Sequence, residues 1–482
     1  MKKLLIISIL TLSLAANAAN DEGKDYSKGI IWVNEDWYGP QNSTLNQLLP
    51  DDPDANWWNY RVFQTENPGY ELGCTNQYGA YWNGRIYLIA KQEKDPGATI
   101  TGGRITIADG RSLKLIKQLQ TIDPTGVQCD GRGFVGVDAN KGYVSTSNGV
   151  WILDLNSLEI TGKVQGTDNP NAGGDNDRPN DDPTGSLYYG QSGMMVRAAG
   201  KIFVAHQQYG LLVVDPEQDR VTSYISMDIV TEGAGIGSVV RSKDGMLWLS
   251  VATNTNGTGS VIDKLVRVDP TTLATDVVDL PDDICGPANS WYAWTPDAFV
   301  ASSATNHLYW KGGKNQWFSG QYIYKFDCDS RQASLLIDLG ADGENWNIYG
   351  CSLGVDPVTD DLYMALFHQF GDPTYVTRRY TSAGVKVRDY EMIRNYWFPS
   401  LPLFPESHLS GIENVDVAPQ QIISVADGAI TIVSDNEVML EIYNISGRCV
   451  LRLQTATATM PLNLESGIYI AKAGTSILKF AI

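Results

Sequence analysis

The residues able to make specific contacts sit in short phrases where aromatic rings alternate with amides. These are "NEDWYGPQN" (34–42), "CTNQYG" (74–79), "YYGQSG" (188–193), "HQQYG" (206–210), "WYAW" (291–294), "KNQWF" (314–318) and "NWNIYG" (345–350). Flat rings supply stacking area and amides supply oriented hydrogen bonds, which suits a large polar planar ligand or a sugar. The candidate ligand contacts are Trp37, Tyr38, Asn76, Gln77, Tyr78, Tyr189, Gln191, His206, Trp291, Tyr292, Trp294, Trp317, Trp346 and Tyr349. Any single ring has a competing role as core between sheets, so the clustering carries the reading.

Other chemistry is sparse. The chain has no G-x-S-x-G, no H-E-x-x-H and no phosphate-binding glycine loop, and no catalytic residue is assigned. His206 and His368 end apolar strands and face the same side as the aromatic phrases, whereas His307 precedes its strand. Each is either a general base or a hydrogen-bonded structural histidine. The loop "DNPNAGGDNDRPNDDPTG" (168–185) brings together Asp175, Asp177, Asp181 and Asp182. Alternating carboxylates suit calcium, with a solvated acidic loop as the other reading. Six cysteines without a CxxC pair, and four histidines, make no zinc pattern. Cys74, Cys129, Cys285 and Cys351 fall at similar points in a repeat. They suit one or two disulfides, or small buried apolar positions.

The elements that must position these residues repeat. An aromatic near the middle of a "turn, then apolar strand" phrase recurs at Trp32, Tyr87, Tyr143, Phe203, Trp248, Tyr309 and Tyr363, with spacings of 55, 56, 60, 45, 61 and 54. A strand precedes each, as in "MMVRA" (194–198), and a tight turn such as Asn83-Gly84 or Ala199-Gly200 joins the two. A third strand ends in an Asp-led turn ("DLNSLE", "DPTTLA"), and a fourth closes the unit. Seven copies of this length fit four-stranded propeller blades. The first copy lacks its innermost strand, and "ENVDVAP" (413–419) is the expected replacement, closing the ring with both chain ends in one blade. The expectation is an all-β chain: a seven-bladed β-propeller over 28–419, followed by a small β-sandwich-like module over 420–482. In that geometry nearly all long loops lie on one face, the expected binding face.

The totals agree with an exported globular protein. Apolar content of 43% supports a real core. A net charge of −19 argues against nucleic acid or an anionic membrane as partner. "MKKLLIISILTLSLAANAAN" has two lysines, an apolar run of about ten residues and the ending Ala16-Asn17-Ala18. It reads as a signal peptide over 1–18, followed by a linker over 19–27. No segment is long and apolar enough for a transmembrane helix, and no lipid-attachment cysteine follows the apolar run.

Two resemblances add to this. "WVNEDWYGPQNSTL" (32–45) is similar to the V-N-E-G-x-(F/Y)-G opening of the YncE-like surface propellers of gut Gram-negative bacteria, and "GRIYLIAKQ" and "GVWILDLNSLE" resemble their blades. That resemblance implies a ligand-capture propeller. Some members bind cobalamin on the loop face and pass it to an outer-membrane transporter. Asp36 stands where the opening phrase usually has glycine. "LEIYNISGRCV" with "LNLESGIYIAKAG" resembles the C-terminal sorting domain of type IX (Por) secretion substrates, although the end "LKFAI" departs from its basic finish. The expected function is capture of cobalamin, a glycan or another large polar ligand at the cell surface, without turnover. The alternatives are a propeller lyase or lactonase, using His206 or loop-bound calcium, and a protein-binding scaffold.

Overall fold

The computed structural model describes residues 24–482, except 37–40, 128, 171–189, 254–260, 288–297, 313–318, 370, 397, 406–422, 427, 433–437, 465 and 474–475. The chain is built from antiparallel sheets, and the longest α-helix among the described residues is Val62–Glu66. Among the described residues up to 403 there are seven sheets. Six run as meanders outward from a first strand, Cys74–Trp82, Gly131–Gly136, Ser192–Ala198, Ala234–Arg241, Phe299–Ala301 and Asn347–Val355, the last also carrying the two-residue strand Ser319–Gly320 on its inner side. In the remaining sheet Pro399–Leu403 pairs with Ile30–Asn34, followed by Thr44–Leu48 and Trp58–Asn59.

These seven first strands neighbour one another in sequence order, and Pro399–Leu403 lies beside both Asn347–Val355 and Cys74–Trp82, so the circle closes. Each sheet also packs its face on the next. Ile31 and Val33 meet Ile86 and Leu88, Tyr87 meets Phe134 and Val144, and Tyr143 meets Ile202 and Val204. Further round, Phe203 meets Leu249, Trp248 meets Leu308 and Phe326, Tyr309 meets Leu353 and Met364, and Tyr363 returns to Ile30 and Trp32. The arrangement is propeller-like. The repeating aromatic is therefore core, wedged between consecutive sheets.

Trp32 is out of register with the other six. It faces the sheet before it, while Ile31 and Val33 face the sheet after it. A shift of one residue along a strand reverses the face, so the true counterpart of Tyr87 is one residue away from Trp32.

The turns explain why the sequence repeat is so regular. Asn83-Gly84 and Ala199-Gly200 have φ of 48° and 73°, and 49° and 70°, the double left-handed geometry of a two-residue hairpin. The Asp-led turns share a second device. The Asp154 carboxylate accepts from the amides of Asn156 (3.0 Å) and Ser157 (2.7 Å), and its carbonyl accepts from Leu158 N at 2.8 Å. The fifth residue is left-handed in each case: Leu113 (φ 55°), Leu158 (57°) and Leu273 (62°) follow Asp109, Asp154 and Asp269. The reversal tucks Leu113 and Leu158 into the core.

The closing strand differs from expectation. Segment 413–419 lies outside the described residues, and the strand beside Ile30–Asn34 is Pro399–Leu403. Two prolines argue against a central strand, because each lacks a ladder donor. Among the described residues Pro399–Leu403 has a sheet partner on one side only, so both prolines are accommodated.

Beyond residue 422 the strands Ile423–Ala426, Ala429–Ile432 and Ala458–Pro461 form one sheet, and Cys449–Thr455, Val438–Asn444, Ile468–Ala473 and Ser476–Ala481 form another. Both contribute to one core of Ile423, Ile430, Ile432, Leu440, Ile442, Tyr469 and Ala471. All six cysteines are free thiols; Cys449 is exposed and the others are buried, so they fill core positions.

Candidate functional site at the loop end of the ring

Every second strand delivers its C-terminal end, and every first strand its N-terminal start, to the same end of the ring. Bulges interrupt the first strands there, between Asn76 and Tyr78, Gly131 and Gly133, Ser192 and Met195, Ile236 and Val239, and Ile348 and Leu353. A bulge breaks alternation and re-aims side chains. It is also why Asn76, Gln77, Tyr78 and Tyr349 read as loop residues, although all four lie on strands.

A buried polar cluster occupies this end. Glu35, just past Ile30–Asn34, accepts hydrogen bonds from Gln77 Nε2 (2.8 Å) and Tyr349 OH (3.0 Å). Burial pushes its carboxyl pKa up, opposed by the Lys91 charge and by these two bonds. Lys91 is part-exposed. Its ammonium pKa is pushed down to about 8, first by desolvation and then by the Arg132 charge, against attraction from Glu35 and Asp130.

Arg132, 5% exposed, donates from Nε to Gln191 Oε1 (2.8 Å) and lies 3.8 Å from Asp130. Asp130 also pairs with Arg104 at 3.2 Å. Gln191 N donates to Gln207 Oε1 at 3.0 Å. On the other side, Lys311 Nζ donates to Gly350 O at 2.9 Å, and the charges of Glu35, Lys311 and Lys91 all act on the Cys351 thiol. Ser400 Oγ donates to Val33 O (3.0 Å) and Asn76 O (3.1 Å), tying the closing strand to its neighbours. Lys91, Arg132 and Lys311 thus converge with Glu35 and Asp130 at this end of a chain of net charge −19.

The structure therefore joins Gln77, Tyr349 and Gln191 through Glu35, Lys91 and Arg132. Asn76 is buried beside them, with its N–H on Ser43 Oγ (2.9 Å), and Tyr78 OH donates to Phe134 O (2.8 Å). Trp346 stands apart, stacked on His368. Trp37, Tyr38, Tyr189, Trp291, Tyr292, Trp294 and Trp317 lie outside the described residues.

His206 is fully buried and stacked on Tyr209 at 4.6 Å, and its Nδ1 accepts from the amides of Gln208 (3.2 Å) and Tyr209 (3.3 Å). Burial drives its pKa down to about 4, so it is neutral at physiological pH. Its hydrogen bonds hold the turn after its strand. The acidic loop residues Asp175, Asp177, Asp181 and Asp182 lie outside the described residues. Among the described residues no group of three or more His, Cys, Asp or Glu is placed to hold a metal.

Sequence reading missed Glu35, Lys91, Arg132 and Lys311, because charged residues beside loops read as solvated. A signal was present. The residue four places after the repeating aromatic is polar in Lys91, Ser147 and Gln207, and each falls at this end of the ring.

Asp36 explains the departure in the opening phrase. Its φ is 60°, a left-handed position where glycine is the default and aspartate is tolerated. Its carboxylate accepts from Thr44 Oγ1 and Gln41 Nε2, both at 2.7 Å. Burial lifts its pKa to about 7, against these bonds and the Arg61 charge. The unfolded chain releases this proton near 3.8. The contribution to stability is therefore full below that value and is lost as pH rises to about 7. Asp36→Asn removes the titration, so its melting temperature relative to wild type should rise from pH 5 to pH 8. An unchanged difference in thermal melts would contradict this.

Comparison with known proteins gives one family. The sequence model described as "Domain of unknown function (DUF5074)" matches residues 28–405. No curated protein matches. Among solved structures, the chain is similar to the extracellular domain of a protein described as a one-component system from B. thetaiotaomicron (12% identity, TM-score 0.44, covering 95% of this chain and 56% of that one). It is also similar to the extracellular domain of one described as a hybrid two-component system from the same organism (11%, TM-score 0.34, 84% and 55%). The chain spans about half the length of each of those structures.

Proposed function

We propose that this chain, which belongs to the DUF5074 family, is an exported, seven-bladed β-propeller that captures a polar ligand at the loop end of its axis. The observation that carries the reading is the polar cluster of buried Glu35, Arg132, Gln191 and Tyr349 with part-exposed Lys91 at its edge. Charged and amide side chains desolvated around one point cost free energy, which a binding site repays when the ligand arrives. The basic groups there, Lys91 first among them, favour a ligand that directs phosphate, carboxylate or amide oxygens inward, with its body lying against the loop phrases.

Cobalamin, a planar ring with amide arms and a phosphate, meets both requirements. It is the first ligand to test, ahead of glycans. The capture is non-covalent and without turnover. The blades are the seven sheets, the domain runs over 28–419, and 420–482 is a separate β-sandwich-like module of sorting type. Export rests on the N-terminal signal, and no helix among the described residues is long and apolar enough to cross a membrane. A surface location would let the loaded protein pass its ligand to an outer-membrane transporter. Calcium in the 168–185 loop would act by ordering that loop.

The test is calorimetric titration of the full chain with cobalamin, with and without added calcium, and recovery of the ligand afterwards. Saturable heat with unaltered ligand supports capture. No heat at high micromolar ligand removes cobalamin, and an altered ligand makes the protein an enzyme.

A further inference from the structure

Trp346 lies apart from the axial cluster. It lines a cleft of about 630 Å³ together with His368, Thr374, Glu344, Glu391 and Arg394. The cleft opens over the outer strands of the seventh sheet, Tyr375–Tyr380 and Lys386–Glu391. Tyr349, Phe367 and Tyr375 stand between it and Glu35, with ring centroids 5.7 Å and 6.1 Å apart in turn.

The cleft is built around a fixed aromatic pair. Trp346 and His368 stack at 3.7 Å with an interplanar angle of 23°. Trp346 Nε1 donates to Glu344 Oε2 at 2.8 Å, and Arg378 Nη2 holds the same oxygen at 3.1 Å. Arg378 is anchored in turn by Asp389 at 2.6 Å and 3.0 Å. The indole is therefore held in place before any ligand arrives, and part of it remains exposed. Two exposed side chains of opposite sign, Glu391 and Arg394, complete the lining.

We propose that this cleft binds a neutral saccharide, independently of the axial site. The charges point to a neutral ligand, because they nearly cancel: Glu344, Asp389, Glu391 and Asp342 are set against Arg378, Arg394 and Lys386, with Asp342 and Glu344 held by Arg378 and Asp389 shared by Arg378 and Lys386. A cation or an anion gains little from such a balance. A sugar ring uses all three features at once, because its C–H face lies on an aromatic and its hydroxyls both donate to carboxylate and accept from guanidinium.

The experiment titrates the full chain in a calorimeter with cello-, xylo-, manno- and malto-hexaose. At least one is expected to bind with a Kd tighter than about 1 mM. Trp346→Ala should weaken that binding about tenfold or more. Glu391→Gln and Arg394→Ala, both at exposed positions, should each weaken it measurably and keep the test decisive if Trp346→Ala does not fold. Lys91→Met should leave it unchanged, which separates this site from the axial one whatever cobalamin does. The proposal is overturned if none of the four binds within that limit, if the bound one is indifferent to the cleft variants, or if Lys91→Met abolishes its binding.

Discussion

Lys91→Met is expected to weaken capture of the axial ligand by about 10- to 100-fold. A hydrogen bond to a charged group contributes roughly 1.5–3 kcal/mol, and each 1.4 kcal/mol is about tenfold in affinity. Lys91 is the informative choice because its ammonium acts on Glu35 and Asp130 through charge, with no hydrogen bond from it among the described residues. The same residue sets a pH signature. With its pKa near 8, affinity should fall as pH rises through 8 in wild type and show no such step in Lys91→Met. Stability should move the other way. The unfolded lysine keeps its proton up to 10.5, so the unfolded state binds more protons between about pH 8 and 10.5, and stability rises across that window. Calorimetry at pH 7 and pH 9 checks the first expectation and thermal melts across the window check the second.

Arg378→Met should cause the largest loss of stability. The guanidinium is 0% exposed. It forks onto Asp389 (2.6 Å and 3.0 Å) and also reaches Glu344 (3.1 Å) and Asp342 (3.4 Å). Removing one member of a buried pair costs roughly 3–5 kcal/mol. Here the stranded carboxylates reach solvent, so about 2–3 kcal/mol is expected after that discount. The corresponding fall in melting temperature is on the order of 5 °C. Arg378→Lys should recover only part of it, because an ammonium cannot make the planar fork. A melt within a degree of wild type would show that the carboxylates rearrange without it. Since Arg378 also fixes Glu344 and through it Trp346, saccharide binding should fall in both variants.

The seven-sheet array was legible in the sequence because each turn has its own chemistry. Asn83-Gly84 is the favoured pair for a two-residue hairpin with both residues left-handed, Ala199-Gly200 adopts the same turn, and the Asp109, Asp154 and Asp269 turns recur with a leucine four residues on. Legibility stopped where tertiary context overrides local pattern. The prolines of Pro399–Leu403 are acceptable only because that strand has one sheet partner, and Trp32 satisfies an aromatic spacing while facing the opposite sheet.

The site shows the same divide. Gln77, Gln191 and Tyr349 stand out in the sequence as amides and rings in short phrases, and the structure brings the three together. The charges that organise them come from four different sheets: Glu35, Lys91, Arg132 and Lys311 meet only when the ring closes. No local window contains two of them. Trp346, grouped with them in the sequence, lies apart from them in the structure, because radial distance from the axis is a property of the closed ring.

The most direct test of axial capture is the cobalamin titration carried out in parallel on wild-type chain, Lys91→Met and Trp346→Ala. Saturable binding to wild type, unaltered ligand on recovery, a 10- to 100-fold loss in Lys91→Met and full retention in Trp346→Ala is the predicted result. Binding that is insensitive to Lys91, or no binding at high micromolar ligand, would contradict it.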